Sequence, residues 1–315
     1  MRKSRFEGWY FKQNTCSGNY AIALIPGRAT DAEGNSHAFI QLNQSAIPHS
    51  YYITFPIEEF KIANDPLVIE VGGNRFSKDG FTVHIDTDQI SVSADIKFHN
   101  VVDISRSFMA PGIMGAFGYL PFLECYHEVY SLNHTTSGQI TLNGESHDFD
   151  NGMGYIEGDR GASFPKNWIW MQTNNFANAT DDQDQNQNQV SLMCAIAKVP
   201  VLPSGKFPIQ GLICVFYLNG KEYRFATYNR ARIVRINSGI HSLKDTVEIE
   251  MRRGDLALKI FASGERGGRL ASPKQGAMVG IIKENIDAQI EVELWKGKNL
   301  IYKGTGINGG FEKNW

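Results

Sequence analysis

"GLICVFYLNGKEYRFATYN", Gly211–Asn229, decides the fold class. Two runs rich in aromatic and β-branched residues flank Asn219-Gly220. Asn-Gly is the pair that a two-residue type I′ hairpin needs, because both central residues take positive φ. Asn143-Gly144 and Lys296-Gly297 sit in the same way between strand-like runs. Working outward, "GNYAIALIPG", "PLVIEVGG", "ISVSADIKF", "QVSLMCAIAKVP" and "AQIEVELWKGKNLIYKG" repeat the pattern, punctuated by Gly, Asn, Asp or Pro. No segment keeps a 3.6-residue apolar period through three turns. The chain is predicted to be all-β, and its 31 glycines and many tight turns suit barrels or sandwiches.

The 315 residues suit two ordinary domains or one large β unit, and 42% hydrophobic with 20% charged residues describes a globular chain with ample core. A net charge of −2 without any Lys/Arg cluster argues against a nucleic-acid partner. No apolar run reaches the length of a membrane helix, and "MRKSRFEGWYFKQ" lacks the apolar region of a signal peptide. Cys16, Cys125, Cys194 and Cys214 occur singly within apolar stretches, as expected of buried free thiols in a reducing, cytoplasmic setting. The polar tract Asn178–Gln189 reads as a loop.

An internal echo suggests duplication. Trp9-Tyr10-Phe11-Lys12-Gln13 resembles Trp168-Ile169-Trp170-Met171-Gln172, with Trp168 standing 159 residues after Trp9. Gly152-Met153-Gly154 is echoed by Gly304-Thr305-Gly306, 152 residues on. The expectation is two β-barrels in tandem, 1–157 and 158–315.

The motifs of common cofactor chemistry are missing: there is no HExxH, CxxC, GxSxG or Walker loop. His127, His134 and His147 lack ligand-like spacing, so neither a metal site nor a cofactor is expected. "DDQDQ", Asp181–Gln185, sits in the Gln/Asn tract rather than on a helix that could display its carboxylates. "GAFGYLPFLECYHEVYSLNH", Gly115–His134, is richer. As an extended strand it places Phe122, Glu124, Tyr126, Glu128 and Tyr130 on one face, with Cys125, His127 and Val129 on the other. If the first face points into a barrel, Glu124 and Glu128 become desolvated carboxylic acids, and if it points outward they are solvated edge residues. The same alternation groups Trp168, Trp170, Gln172 and Asn174 on one face, either as a wall for a flat or cationic guest or as ordinary packing. Glu7 beside Trp9 repeats that pattern.

Together "FEGWYFK", "GYLPFLECYHE", "GYIEGDRGASFPKNWIWMQTNNF", "LASPKQGAMVG" and "GGFEKNW" resemble the tocopherol cyclase family from Phe6 to Trp315. The opening is similar, more distantly, to carotenoid hydratases with paired lipocalin-like barrels. The resemblance implies two lipocalin-like antiparallel barrels and a lipophilic small-molecule substrate such as a prenylated quinol, isoprenoid or lipid. It also implies an acid-catalysed cyclisation without metal or redox cofactor; nothing in the sequence requires a membrane anchor, but so greasy a substrate suggests transient membrane contact. In that reaction an acid protonates a trisubstituted alkene and a phenol oxygen captures the tertiary cation. By matching positions Glu124 is the first candidate acid and Glu157 the second. Glu7, Trp9, Tyr126, His127, Glu128, Tyr155, Phe164, Trp168, Trp170, Gln172 and Asn174 are candidate pocket residues. Gly158 and Arg160 depart from the family pattern, which has lysine and tryptophan there. The alternative is a lipocalin-like carrier that shelters its ligand unchanged.

Overall fold

The computed structural model describes residues 4–176, 189–200, 208–265 and 267–315. Nearly all of the polar tract 178–189 therefore lies outside the described residues. The first sheet begins with β1 (Arg5–Asn14), β2 (Ala21–Thr30), β3 (Ser36–Gln44), β4 (Tyr51–Phe55), β5 (Phe60–Asn64) and β6 (Leu67–Val71). It continues with β7 (Asn74–Ser77), β8 (Gly80–Asp86), β9 (Ser91–Val102), β10 (Cys125–Leu142), β11 (Glu145–Asp148) and β12 (Gly152–Gly161). The strand order is β4-β3-β2-β1-β12-β10-β9-β8-β7-β6-β5, with β11 on β10. β1 pairs with both β2 and the last strand, β12, which joins the two ends of the antiparallel meander and leaves β4 and β5 at the edges of a nearly closed barrel.

The second sheet comprises β13 (Trp168–Thr173), β14 (Asn175–Phe176), β15 (Val190–Pro200), β16 (Pro208–Leu218), β17 (Lys221–Ala226) and β18 (Arg232–His241). Its later strands are β19 (Lys244–Arg253), β20 (Leu256–Gly264), β21 (Gly268–Lys274), β22 (Ala277–Lys296) and β23 (Asn299–Asn314). The order is β17-β16-β15-β13-β23-β22-β20-β19-β18, with β14 on β23 and β21 on β22. Two compact units result. One is Met1–Ile104, Glu124–Phe164 and Gly268–Ile282, and the other is Ser105–Leu123, Pro165–Gly267 and Lys283–Trp315.

Each sheet wraps its own apolar core, as a lipocalin-like barrel does. Trp9, Phe11, Ile22, Leu24, Phe76 and Ile156 belong to the first core. Ile169, Met171, Leu192, Phe216, Ile249 and Phe311 belong to the second. Strand periodicity produces both, because alternate side chains leave opposite faces of the sheet. The hairpin reading holds in detail: Asn143 and Gly144 take φ of 50° and 86°, and Asn219 and Gly220 take 46° and 82°. The described residues contain no α-helix, only 3-10 turns at Ile57–Glu59, Gly115–Tyr119 and Thr227–Asn229. Among them no helix is long and apolar enough to cross a membrane.

Two expectations need correction. All four cysteines are free and Cys194 and Cys214 are buried, but Cys16 is exposed in the turn after β1, and Cys125 is only partly buried. The stretch from Gly115 is not strand throughout. Gly115 takes φ of +56° and opens a 3-10 turn, and β10 starts only at Cys125. Glu124 therefore precedes the strand and is exposed.

Candidate functional site

The first sheet presents two different faces along β1, β12 and β10. Trp9, Phe11 and Ile156 turn to the apolar core, so Tyr10, Lys12, Tyr155, Glu157 and Asp159 stand on the opposite face. Cross-strand register brings them together: Tyr10 lies opposite Glu157 and Lys12 opposite Tyr155 on β1. On β10, His127 lies opposite Asp159 and Cys125 opposite Gly161.

That opposite face holds a chain of titratable groups. The Tyr155 hydroxyl donates to Glu157 Oε2 at 2.5 Å, and both side chains are buried. Glu157 Oε2 is ion-paired with His127 Nε2 at 3.3 Å, and His127 Nδ1 is bonded to Asp159 Oδ1 at 3.0 Å. The Cys125 thiol donates to the same Asp159 oxygen at 3.5 Å. The His127 side chain is only 12% exposed. Burial opposes its charge, but the carboxylates of Glu157 and Asp159 outweigh that and hold its pKa well above the ordinary imidazole value. Burial and Glu157 raise the Tyr155 phenol, and burial and Asp159 raise the Cys125 thiol, so both stay protonated. Lys12, 1% exposed on the same face, donates to Asn14 Oδ1 at 3.3 Å. The arrangement holds an imidazolium between two carboxylates, with a phenol and a thiol at its ends. One ligand atom from each of His127, Glu157 and Asp159 lies within 4.8 Å of the other two, close enough to enclose a cation as well.

The core-facing side of the same strands carries a different set. Glu7 and Arg28 form an ion pair at 2.6 Å, and the Arg28 guanidinium lies 4.9 Å over the Phe60 ring. Trp9 stacks on Phe60 with ring centroids 6.2 Å apart. Arg160 stands between Glu7 and Tyr126 in register and stacks 4.8 Å over the Tyr126 ring. Gly158 explains one departure from the family pattern. A Cβ there would meet Trp9 Cδ1 at 2.8 Å and Tyr130 Cε2 at 3.1 Å, so a lysine would displace the indole.

The candidate residues thus fall into separate places. Glu7, Trp9, Tyr126 and Glu128 belong to the core-facing side, whereas His127, Tyr155 and Glu157 belong to the other. Phe164 packs edge-on against Phe6 at 5.2 Å. Trp168, Trp170 and Gln172 share a face of β13, opposite Ile169 and Met171, and Asn174 follows the strand's end. There Trp168 Nε1 donates to Glu312 Oε2 at 2.6 Å, and Gln172 and Asn174 are buried. Glu124 joins none of these sets: its backbone carbonyl accepts from Ala162 N at 2.9 Å, but its side chain is exposed. Asp159, Cys125 and Lys12 escaped the sequence reading. The alternation Tyr155-x-Glu157-x-Asp159 was the signal available for Asp159, since residues two apart share a face.

The sequence model of the tocopherol cyclase-like family matches residues 105–313. A chloroplastic tocopherol cyclase of Zea mays is 24% identical over 212 residues, covering 64% of this chain and 40% of the maize protein. The chain thus matches about two fifths of that relative's length. Among solved structures, CghA with Sch210972 superposes with a TM-score of 0.59 at 10% identity, covering 98% of this chain and 88% of CghA. Kievitone hydratase from Nectria haematococca gives 0.53 at 14% identity, with 98% and 88% covered. Those structural likenesses establish the fold, and the sequence match, spanning most of the chain, places it in the tocopherol cyclase-like family.

Proposed function

We propose that this chain is an enzyme that cyclises a prenylated hydroquinol, or a related isoprenoid, by protonating its alkene. The supporting observation is the hydrogen-bonded run Tyr155–Glu157–His127–Asp159, buried at Tyr155 and Glu157 and partly buried at His127 and Asp159, which keeps a proton available. The proton of the His127 imidazolium, held against Glu157, adds to the less substituted alkene carbon, and the π pair becomes the new C–H bond. The tertiary cation is held near the carboxylates and the faces of Tyr10 and Tyr155. A phenol oxygen then attacks it and returns its proton to the pair. One C–H and one C–O bond form while one C=C π bond and one O–H bond break, so the mass is unchanged. The acid is thus assigned to Glu157 with His127, in place of Glu124.

The test is to incubate the protein with a panel of prenylated hydroquinols and follow products of unchanged mass by chromatography. Glu157→Gln should lower turnover about 10²- to 10⁴-fold, the usual contribution of a positioned acid or base, while tryptophan quenching still reports binding. Quenching with the substrate recovered intact from the parent protein would make the chain a carrier. Turnover that appears only with an added divalent ion, and is lost in His127→Gln, would replace the proton store with a metal centre.

A further inference from the structure

Ser107–Ala110 forms a tight turn that carries Phe108 and Met109 at its two central positions, 88% and 70% exposed. The turn is built rather than loose. Ser107 N donates to Ala110 O at 3.0 Å, and Ala110 N donates back to Ser107 O at 3.1 Å. The Ala110 amide also reaches the Ser107 hydroxyl at 3.1 Å. The Tyr119 hydroxyl donates to Phe108 O at 3.2 Å, and Arg106 Nη1 donates to Pro111 O at 2.8 Å. Its root is fixed as well. Ser105 N donates to Glu222 at 2.6 Å, Arg224 Nη2 donates to Ser105 O at 2.8 Å, and the Glu222–Arg224 ion pair closes at 2.6 Å.

We infer that this turn is an interfacial anchor that dips Phe108 and Met109 into the surface of a lipid bilayer. Three features point to a bilayer. The side chains that leave the protein are large and apolar, and apolar area removed from water drives their insertion. Backbone groups in an apolar medium need partners, and the turn's carbonyls at Ser107, Phe108, Ala110 and Pro111 already accept hydrogen bonds within the protein. Tyr119, 61% exposed, and Arg106 stand at the base of the turn, where an amphipathic ring and a cation suit the headgroup layer. A protein partner fits less well, because a stable interface needs roughly 800 Å² from each side and a two-residue tip offers far less. Two apolar side chains without a covalent lipid give reversible attachment. The anchor goes beyond the proposed cyclisation and is compatible with it, since a prenylated substrate dissolves in the bilayer.

The experiment is cosedimentation of the full chain with phosphatidylcholine vesicles, and with no vesicles as a control. Wild type should pellet with lipid, and Phe108→Ser combined with Met109→Ser should lower the partition coefficient about tenfold or more, from the lost apolar area. Phe108→Leu should keep most of the binding, and Leu243→Ser, at another exposed hairpin tip, should leave it unchanged. Circular dichroism checks that each variant is folded. Equal binding by the double variant and wild type, or no vesicle binding by wild type, overturns the proposal. So does pelleting without vesicles that the double variant abolishes, which would assign the turn to a second copy of the chain. Turnover of a detergent-dissolved hydroquinol is scored separately. In wild type, vesicle binding without turnover counts against the cyclase reading, and turnover without vesicle binding counts against the anchor.

Discussion

β1 carries Trp9-Tyr10-Phe11-Lys12-Gln13 and β13 carries Trp168-Ile169-Trp170-Met171-Gln172. Yet Trp9 and Phe11 enter the apolar core of the first sheet, whereas Trp168 and Trp170 stand opposite Ile169 and Met171. Aligning tryptophan with tryptophan, 159 residues apart, therefore matches opposite faces. A shift of one residue pairs Trp9 with Ile169, Phe11 with Met171, and Tyr10, Lys12 and Asn14 with Trp170, Gln172 and Asn174. Because side chains alternate, one residue of slip exchanges the whole set. In the first sheet the face turned from the core meets Tyr155, Glu157, Asp159 and His127 and carries charge. In the second the equivalent positions on β13 are indoles and amides, with Glu312 bonded to Trp168. The difference puts titratable side chains on that face of the first sheet and indoles and amides on β13.

Stability measurements should separate the two tryptophans. Trp9 is 5% exposed, packed on Phe60 and over Gly158, so Trp9→Ala leaves a cavity and should cost about 3–5 kcal/mol in denaturant unfolding. Trp168 lies outside the second core, and its indole donates to Glu312. Trp168→Phe removes a hydrogen bond to a carboxylate and should cost about 1.5–3 kcal/mol. Equal losses at both sites would mean that the faces are not as different as the packing indicates.

The charged face should announce itself in pH dependence. His127 has a folded pKa above its unfolded value, so its ion pairs stabilise the fold fully below the ordinary imidazole range, and that contribution fades as pH rises through the folded value. His134 behaves oppositely. Burial lowers it to about 3, so folding keeps it neutral, and stability falls as pH drops from the ordinary imidazole range toward that value. Unfolding midpoints against pH should show both limbs. His127→Gln should flatten the alkaline limb and leave the acid limb in place. An alkaline limb unchanged in His127→Gln would show that the imidazolium is not what the carboxylates hold.

Much of this architecture was legible in the chain. Asn-Gly turns and period-two alternation led to an all-β fold, and the family motifs led to lipocalin-like barrels. The candidate site was legible only in parts. Alternation separated Cys125, His127 and Val129 from Tyr126, Glu128 and Tyr130, and it grouped Trp168 with Trp170 and Gln172, whereas Asn174 falls beyond the end of β13. What it could not supply was cross-strand register, and register places Asp159 opposite His127 and Tyr10 opposite Glu157. The start of β10 was marked only by Pro121 in "LPFLEC", whose missing N–H cannot join a sheet ladder, and the turn before it depends on Gly115 taking positive φ.

Glu124 gives the smallest and most discriminating prediction. It sits one residue before β10, with its carbonyl tied to Ala162 and its carboxylate in water. A surface carboxylate without a buried partner contributes within about 0.5 kcal/mol to stability. Glu124→Gln should therefore leave the unfolding midpoint and the turnover of prenylated hydroquinols nearly unchanged, side by side with an inactive Glu157→Gln. If Glu124→Gln abolished turnover at full stability instead, the exposed carboxylate would have to become buried when substrate binds. The charged face behind β12 would then be a structural feature of the first sheet, and the contrast between β1 and β13 would lose its chemical meaning.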